Sequence, residues 1–128
     1  RIPSVHPNVN YDECVKFLLN QAKCLNLGSR VIEIVHSKPI VVLTWVGKSP
    51  ELPSILLNSH MDVVPVFEEF WIHHPFEGYY DKESGKIYGR GTQDMKSVGI
   101  QYLEAIRRLK RDGVELTRTV HVSFVPDE

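Results

Sequence analysis

Ser54-Ile55-Leu56-Leu57-Asn58-Ser59-His60-Met61-Asp62-Val63-Val64-Pro65 is the stretch on which the reading of this chain turns. Ile55-Leu56-Leu57 is apolar without alternation, the pattern of a strand covered on both faces in the middle of an α/β sheet. Just past the strand, an imidazole (His60) and a carboxylate (Asp62) stand two residues apart. Such a pair can offer a metal ion one ligand and one group that orients and tunes that ligand.

Upstream, Val15, Leu18, Leu19, Ala22 and Leu25 recur at three- and four-residue intervals, which predicts an amphipathic helix beginning near Tyr11. Asn10 with Glu13 resembles a capping box, and Gly28 suits the stop. Arg30 to Val35, Ile40 to Trp45 and Ser54 to Asn58 are β-rich and separated by turn formers. Downstream, the span from Pro65 to Gly85 is a long connection whose aromatic content argues against disorder. A short strand is expected around Lys86 to Tyr88. Val98, Tyr102, Leu103, Ile106 and Leu109 then mark a second helix, from about Met95 to Lys110, closed by Gly113. Val120, Val122 and Phe124 alternate with polar residues in a last strand that leads to Pro126-Asp127-Glu128.

A chain of 128 residues, 42% hydrophobic, can build one core and no more, so one domain or part of one is expected. Its opening on Arg1 and its close on a strand-like run read as a segment of a longer polypeptide. With 15 basic and 16 acidic residues the net charge is -1, which gives no electrostatic reason to expect nucleic acid or an anionic membrane as a partner. No apolar stretch approaches the roughly 20 residues of a membrane helix. Cys14 and Cys24 are too few and too ordinary in spacing for a disulfide framework or a metal site, and are expected to be free, buried thiols.

In open α/β sheets ligands bind beyond the carboxyl ends of the strands. His60 and Asp62 follow one strand, Glu128 follows another, and Asp94 stands in the turn entering a helix. If the two strands are parallel, the four side chains gather at one edge, a site for zinc, manganese or cobalt. Taken singly, each has a plainer reading: a surface histidine beside a carboxylate, a helix N-cap at Asp94, a solvated turn at Asp127-Glu128. Their joint occurrence at matching topological positions favours the metal site. His6, His36, His73, His74 and His121 have no such support and are expected to be structural or surface residues. Gly89 and Gly91 complete no phosphate-binding motif, and Asp94 would repel a phosphate there, so their expected role is to supply the backbone angles that aim Asp94.

At this point the residues resemble a known family. Ile55 to Val64 is similar to the first signature, and Thr92-Gln93-Asp94-Met95-Lys96 to the second, of the co-catalytic zinc aminoacylase, carboxypeptidase and deacetylase family, peptidase family M20. The resemblance runs over nearly the whole chain, through SILLNSH, DVVPVF, QDMK, IQYLEA, RRLK and FVPDE. It implies the N-terminal part of a zinc-dependent exopeptidase catalytic domain over residues 1–128, with a partial mixed, largely parallel sheet flanked by helices. The remainder of that domain and a lid or dimerisation domain would lie elsewhere in the polypeptide. By the same resemblance His60 would ligate one zinc ion, Asp94 would bridge two, Asp62 would orient His60, and Glu128 would be the general base. The second glutamate, a further carboxylate and a distant histidine would complete the ligand set beyond Glu128, and the peptide after Asp94 would be cis. The implied reaction is hydrolysis of N-acyl-L-amino acids to a free amino acid and a carboxylate, in a cytoplasmic homodimer. Another dipeptidase or deacylase of the family is the nearest alternative. A non-catalytic relative would be marked by a damaged HxD or bridging aspartate, and both are intact here. The isolated segment is expected to be inactive.

Overall fold

In the computed structural model, which describes residues 1–128, the strands and helices follow one another as α1 (Asp12–Cys24), β1 (Gly28–Val35), β2 (Lys38–Trp45), β3 (Ile55–His60), a 3-10 turn (Glu68–Phe70), β4 (Tyr79–Tyr80), β5 (Ile87–Tyr88), α2 (Lys96–Arg111) and β6 (Val120–Val125). Four strands form one sheet in the order β1-β2-β6-β3, and β4 pairs with β5 in a separate ribbon. The sheet is mixed, as expected, but only β3 and β6 run parallel; β1 with β2 and β2 with β6 are antiparallel. The reason for the antiparallel share lies in the connections. β1 and β2 are joined by the tight turn at His36-Ser37, which can only reverse the chain, whereas β3 reaches β6 through the long crossover that contains α2.

One face of the sheet carries the core. Val41 and Leu43 of β2 pair in register with Phe124 and Val122 of β6, and all four are buried. Onto them α1 lays Cys14, Leu18 and Ala22, followed by Leu25, and α2 lays Leu103 and Ile106, in a single apolar cluster. The buried stripe of α1 is turned slightly from the predicted one, toward Tyr11 and Cys14, leaving Val15 and Leu19 at the margin. Cys14 is therefore buried, but Cys24, two positions past Ala22, lies on the outer side of the helix and is exposed, contrary to the sequence expectation. The start of α1 is also simpler than a capping box: Asn10 Oδ1 accepts from the Asp12 N–H at 2.8 Å, and no reciprocal bond from Glu13 forms.

The expectation that Ile55-Leu56-Leu57 is covered on both faces does not hold in this chain. β3 is an edge strand, no helix lies on its second face, and Leu56 is 64% exposed. Only its last two residues, Ser59 and His60, are buried, because α2 packs there.

That packing is close. A Cβ on Gly99 of α2 would lie 2.8 Å from Phe124 Cε1 and 3.1 Å from Ser59 Oγ, so the helix can approach β3 and β6 only without a side chain at this position. For Gly99→Ala, the gain in helix propensity of about 1 kcal/mol would partly offset the overpacking. Gly99→Val gains less propensity and adds two methyl groups beyond alanine, so a net loss of about 1–3 kcal/mol is expected in urea unfolding of the full-length protein. Unchanged stability of the valine variant would show that the helix is free to move away from the sheet.

Candidate metal centre

The parallel pairing of β3 with β6 places His60 opposite Val125, so both strands end at the same edge of the sheet. The chain leaves β3 through Met61 and Asp62, and leaves β6 through Pro126 and Asp127 to Glu128. Asp94 arrives from the turn before α2. Its backbone is shaped by Gly91, whose φ of +88° falls in the left-handed region and whose Cβ would meet Val63 Cγ1 at 3.1 Å. Gly89 has no such angle, so of the two glycines only Gly91 plays the expected part. The Asp94–Met95 peptide is cis. Asp94 is not the N-cap of α2, which is Met95, and its carboxylate faces the sheet edge instead.

There the donors meet. His60 Nε2 lies 3.0 Å from Asp94 Oδ1 and 3.6 Å from Glu128 Oε2, and one ligand atom from each of the three residues falls within 4.8 Å of the others. His60 is buried, while Asp94 and Glu128 are 73% and 70% exposed in their side chains, so the group opens to solvent on its acidic side. His60 Nδ1 is 3.0 Å from the Asp62 carbonyl oxygen. An Nδ1–H donating to that carbonyl leaves the Nε2 lone pair directed at the two carboxylates, the tautomer a metal-binding histidine requires. One imidazole and two carboxylates suit zinc and related divalent ions, so the residues present fit a metal cation. In the absence of a cation, burial pulls the His60 pKa down. The hydrogen bond to Asp94 and the charge of Asp62 outweigh it, and the net shift is upward.

Asp62 stands behind the imidazole rather than among the donors. It is 4% exposed, its Oδ1 lies 3.4 Å from His60 Nδ1, and the Glu128 N–H points at its two oxygens from 3.3 and 3.4 Å. Its closest side-chain partner is His6, whose Nε2 is 2.8 Å from Asp62 Oδ2. His6 was missed by the sequence reading. It reaches the site because Val5 bridges to Val63, with His6 N–H donating to the Val63 carbonyl at 3.2 Å and Val63 N–H to that of Ser4 at 2.8 Å. Nothing local announces that pairing: residues 4–6 have no periodicity and no neighbouring motif. The other histidines remain outside the group. His73 stacks on Tyr79 with ring centroids 3.9 Å apart, and His121 Nδ1 lies 2.9 Å from Thr44 Oγ1 across β2 and β6.

Comparison with known proteins gives a consistent picture. The sequence profile of peptidase family M20/M25/M40 matches residues 56–128. Over all 128 residues the chain is 58% identical to aminoacylase-1 of Mus musculus and 56% identical to aminoacylase-1 of Sus scrofa. It spans 31% of the length of each of these relatives. Among solved structures, an M20 family metallo-carboxypeptidase from Sulfolobus solfataricus superposes with a TM-score of 0.79 at 26% identity, over 96% of this chain and 28% of that one. A di-peptidase from Saccharomyces cerevisiae superposes with a TM-score of 0.77 over 98% of this chain and 29% of its own; at 22% identity it speaks for the fold alone.

Proposed function

The chain belongs to peptidase family M20/M25/M40, and on that premise we propose that the protein of which it forms part hydrolyses the amide bond of N-acyl-L-amino acids, releasing the free amino acid and a carboxylate. The observation that carries this reading is the convergence of His60 Nε2, Asp94 Oδ1 and Glu128 Oε2 on one point from three separate elements. The preference for N-acyl amino acids among the family's reactions rests on the 58% identity with mouse aminoacylase-1 across the whole chain.

In the proposed arrangement His60 would hold one zinc ion, Asp94 would serve both ions of a pair, and further ligands would come from other parts of the polypeptide. Zinc in such a pair supplies Lewis-acid polarisation of the scissile carbonyl and makes water a nucleophile at neutral pH. Glu128 removes a proton from the attacking water and returns it to the leaving amide nitrogen as the C–N bond breaks, a base-then-acid role suited to a carboxylate whose Oε2 lies 3.6 Å from His60 Nε2. Asp62 keeps His60 in its tautomer and orientation. A cytoplasmic homodimer acting on small molecules is the setting we propose; the two cysteines are free, and no helix is long and apolar enough to cross a membrane.

A substrate panel on the full-length, zinc-reconstituted protein tests the assignment. N-acetyl-L-methionine should be turned over with a kcat/KM at least about tenfold above that for simple dipeptides, a difference of about 1.4 kcal/mol in transition-state binding. The reverse order would move the protein to the dipeptidases of the family, and no hydrolysis of either by metal-loaded protein would remove the enzymatic reading.

A further inference from the structure

Asp127 belongs neither to the donor group nor to the chemistry proposed for it, yet it is tied down on several sides. Its Oδ1 accepts a hydrogen bond from the Tyr11 hydroxyl at 2.5 Å, and its own N–H donates back to that same hydroxyl oxygen at 3.1 Å. Its Oδ2 pairs with the Lys38 ammonium at the start of β2, and His6 Nε2 lies 3.8 Å from its Oδ1. Tyr11, at the head of α1, is 3% exposed, so its hydroxyl has no freedom to seek water instead.

The backbone at Asp127 has φ +48°, in the left-handed region that non-glycine residues enter only when held there. The two bonds to one hydroxyl close a small ring around this peptide. Whatever fixes φ at Asp127 fixes the direction in which Glu128 leaves the strand, and the Glu128 N–H is accordingly turned toward Asp62. Tyr11 thus reaches Glu128 through the residue that precedes it, Asp127.

We propose that Tyr11, acting through Asp127, is a positioning residue for Glu128: its hydroxyl locks the turn after β6 so that the Glu128 carboxylate is held beside His60. This rests on the reading of Glu128 as the base. The competing account is that the clasp only braces α1 against the sheet, in which case losing it would cost stability and leave each folded molecule equally active.

The two accounts separate in the full-length, zinc-loaded protein, with kcat expressed per metal-loaded molecule. Tyr11→Phe keeps the buried ring and removes only the hydroxyl. It is expected to lower kcat for N-acetyl-L-methionine about tenfold or more, as misplacement of a reacting group does, with metal content unchanged. KM should stay within about twofold, since the interaction lost is made in the transition state. Asp127→Asn, whose amide oxygen can still accept from Tyr11, should retain more kcat than Asp127→Ala. Should Tyr11→Phe fail to fold, the two Asp127 variants carry the test alone. Wild-type kcat per loaded molecule in Tyr11→Phe, or equal kcat in the two Asp127 variants, would overturn the proposal. Glu128→Gln serves as the control: if it too were fully active, the reading of Glu128 itself would fail, whereas an inactive Glu128→Gln beside a fully active Tyr11→Phe would remove the positioning role only.

Discussion

Glu128→Gln in the full-length protein is expected to lower kcat for an N-acyl amino acid by about 10²- to 10⁴-fold, the usual worth of a positioned acid–base group, while metal content is unchanged. Glutamine keeps the size and the hydrogen-bonding reach of glutamate but cannot take a proton. The substitution is nearly isosteric, and a urea unfolding curve recorded beside the kinetics separates a catalytic loss from a loss of stability. Metal analysis beside kinetics makes the result decisive, because Glu128 also lies close enough to His60 and Asp94 to serve as a ligand. A parallel loss of metal and activity would make it a ligand rather than the base. Unchanged turnover would remove it from the chemistry altogether.

Asp94→Ala is expected to have the larger effect on the metal itself. If Asp94 is shared by two ions as proposed, it contributes to both, so its removal should empty the centre, whereas His60→Ala should spare the ion that His60 would not touch. The affinity lost should exceed the roughly 10- to 100-fold that the loss of an outer partner such as Asp62 costs. Metal stoichiometry by elemental analysis, followed by activity on re-addition of zinc, distinguishes the cases. One ion retained by Asp94→Ala would contradict a bridging role. Equal depletion by both substitutions would show that the two ions bind only as a pair.

The parts of this molecule that were legible in its sequence are those governed by short-range rules. Periods of three and four residues marked both helices, and β-branched runs between turn formers marked β1, β2 and β6 within a residue or two. The gathering of His60, Asp94 and Glu128 was legible too, because it needs only that strand ends share an edge. What escaped depended on distant partners. Leu56 looks like an interior residue by composition, but within residues 1–128 β3 has a neighbour on one side only and nothing lies on its second face. His6 reads as an unremarkable histidine before a proline until Val5 meets Val63. Asp127 looked like half of an acidic pair, but Tyr11 and Lys38, each far away in the chain, turn it from the cluster that Glu128 joins.

The parallel register of β3 against β6 has a consequence for how the molecule is made. Side chains on a strand alternate between faces, so a slip of one residue in this pairing would swing His60 away from Glu128 and leave three groups with nothing in common. If the protein binds a metal cation as proposed, only chains paired in this register could hold it through these residues, and they would be stabilised by about 2.7 kcal/mol when free metal exceeds its dissociation constant a hundredfold. On the proposed function, metal loading would then also report on folding, since a chain paired in another register would gain no such stabilisation.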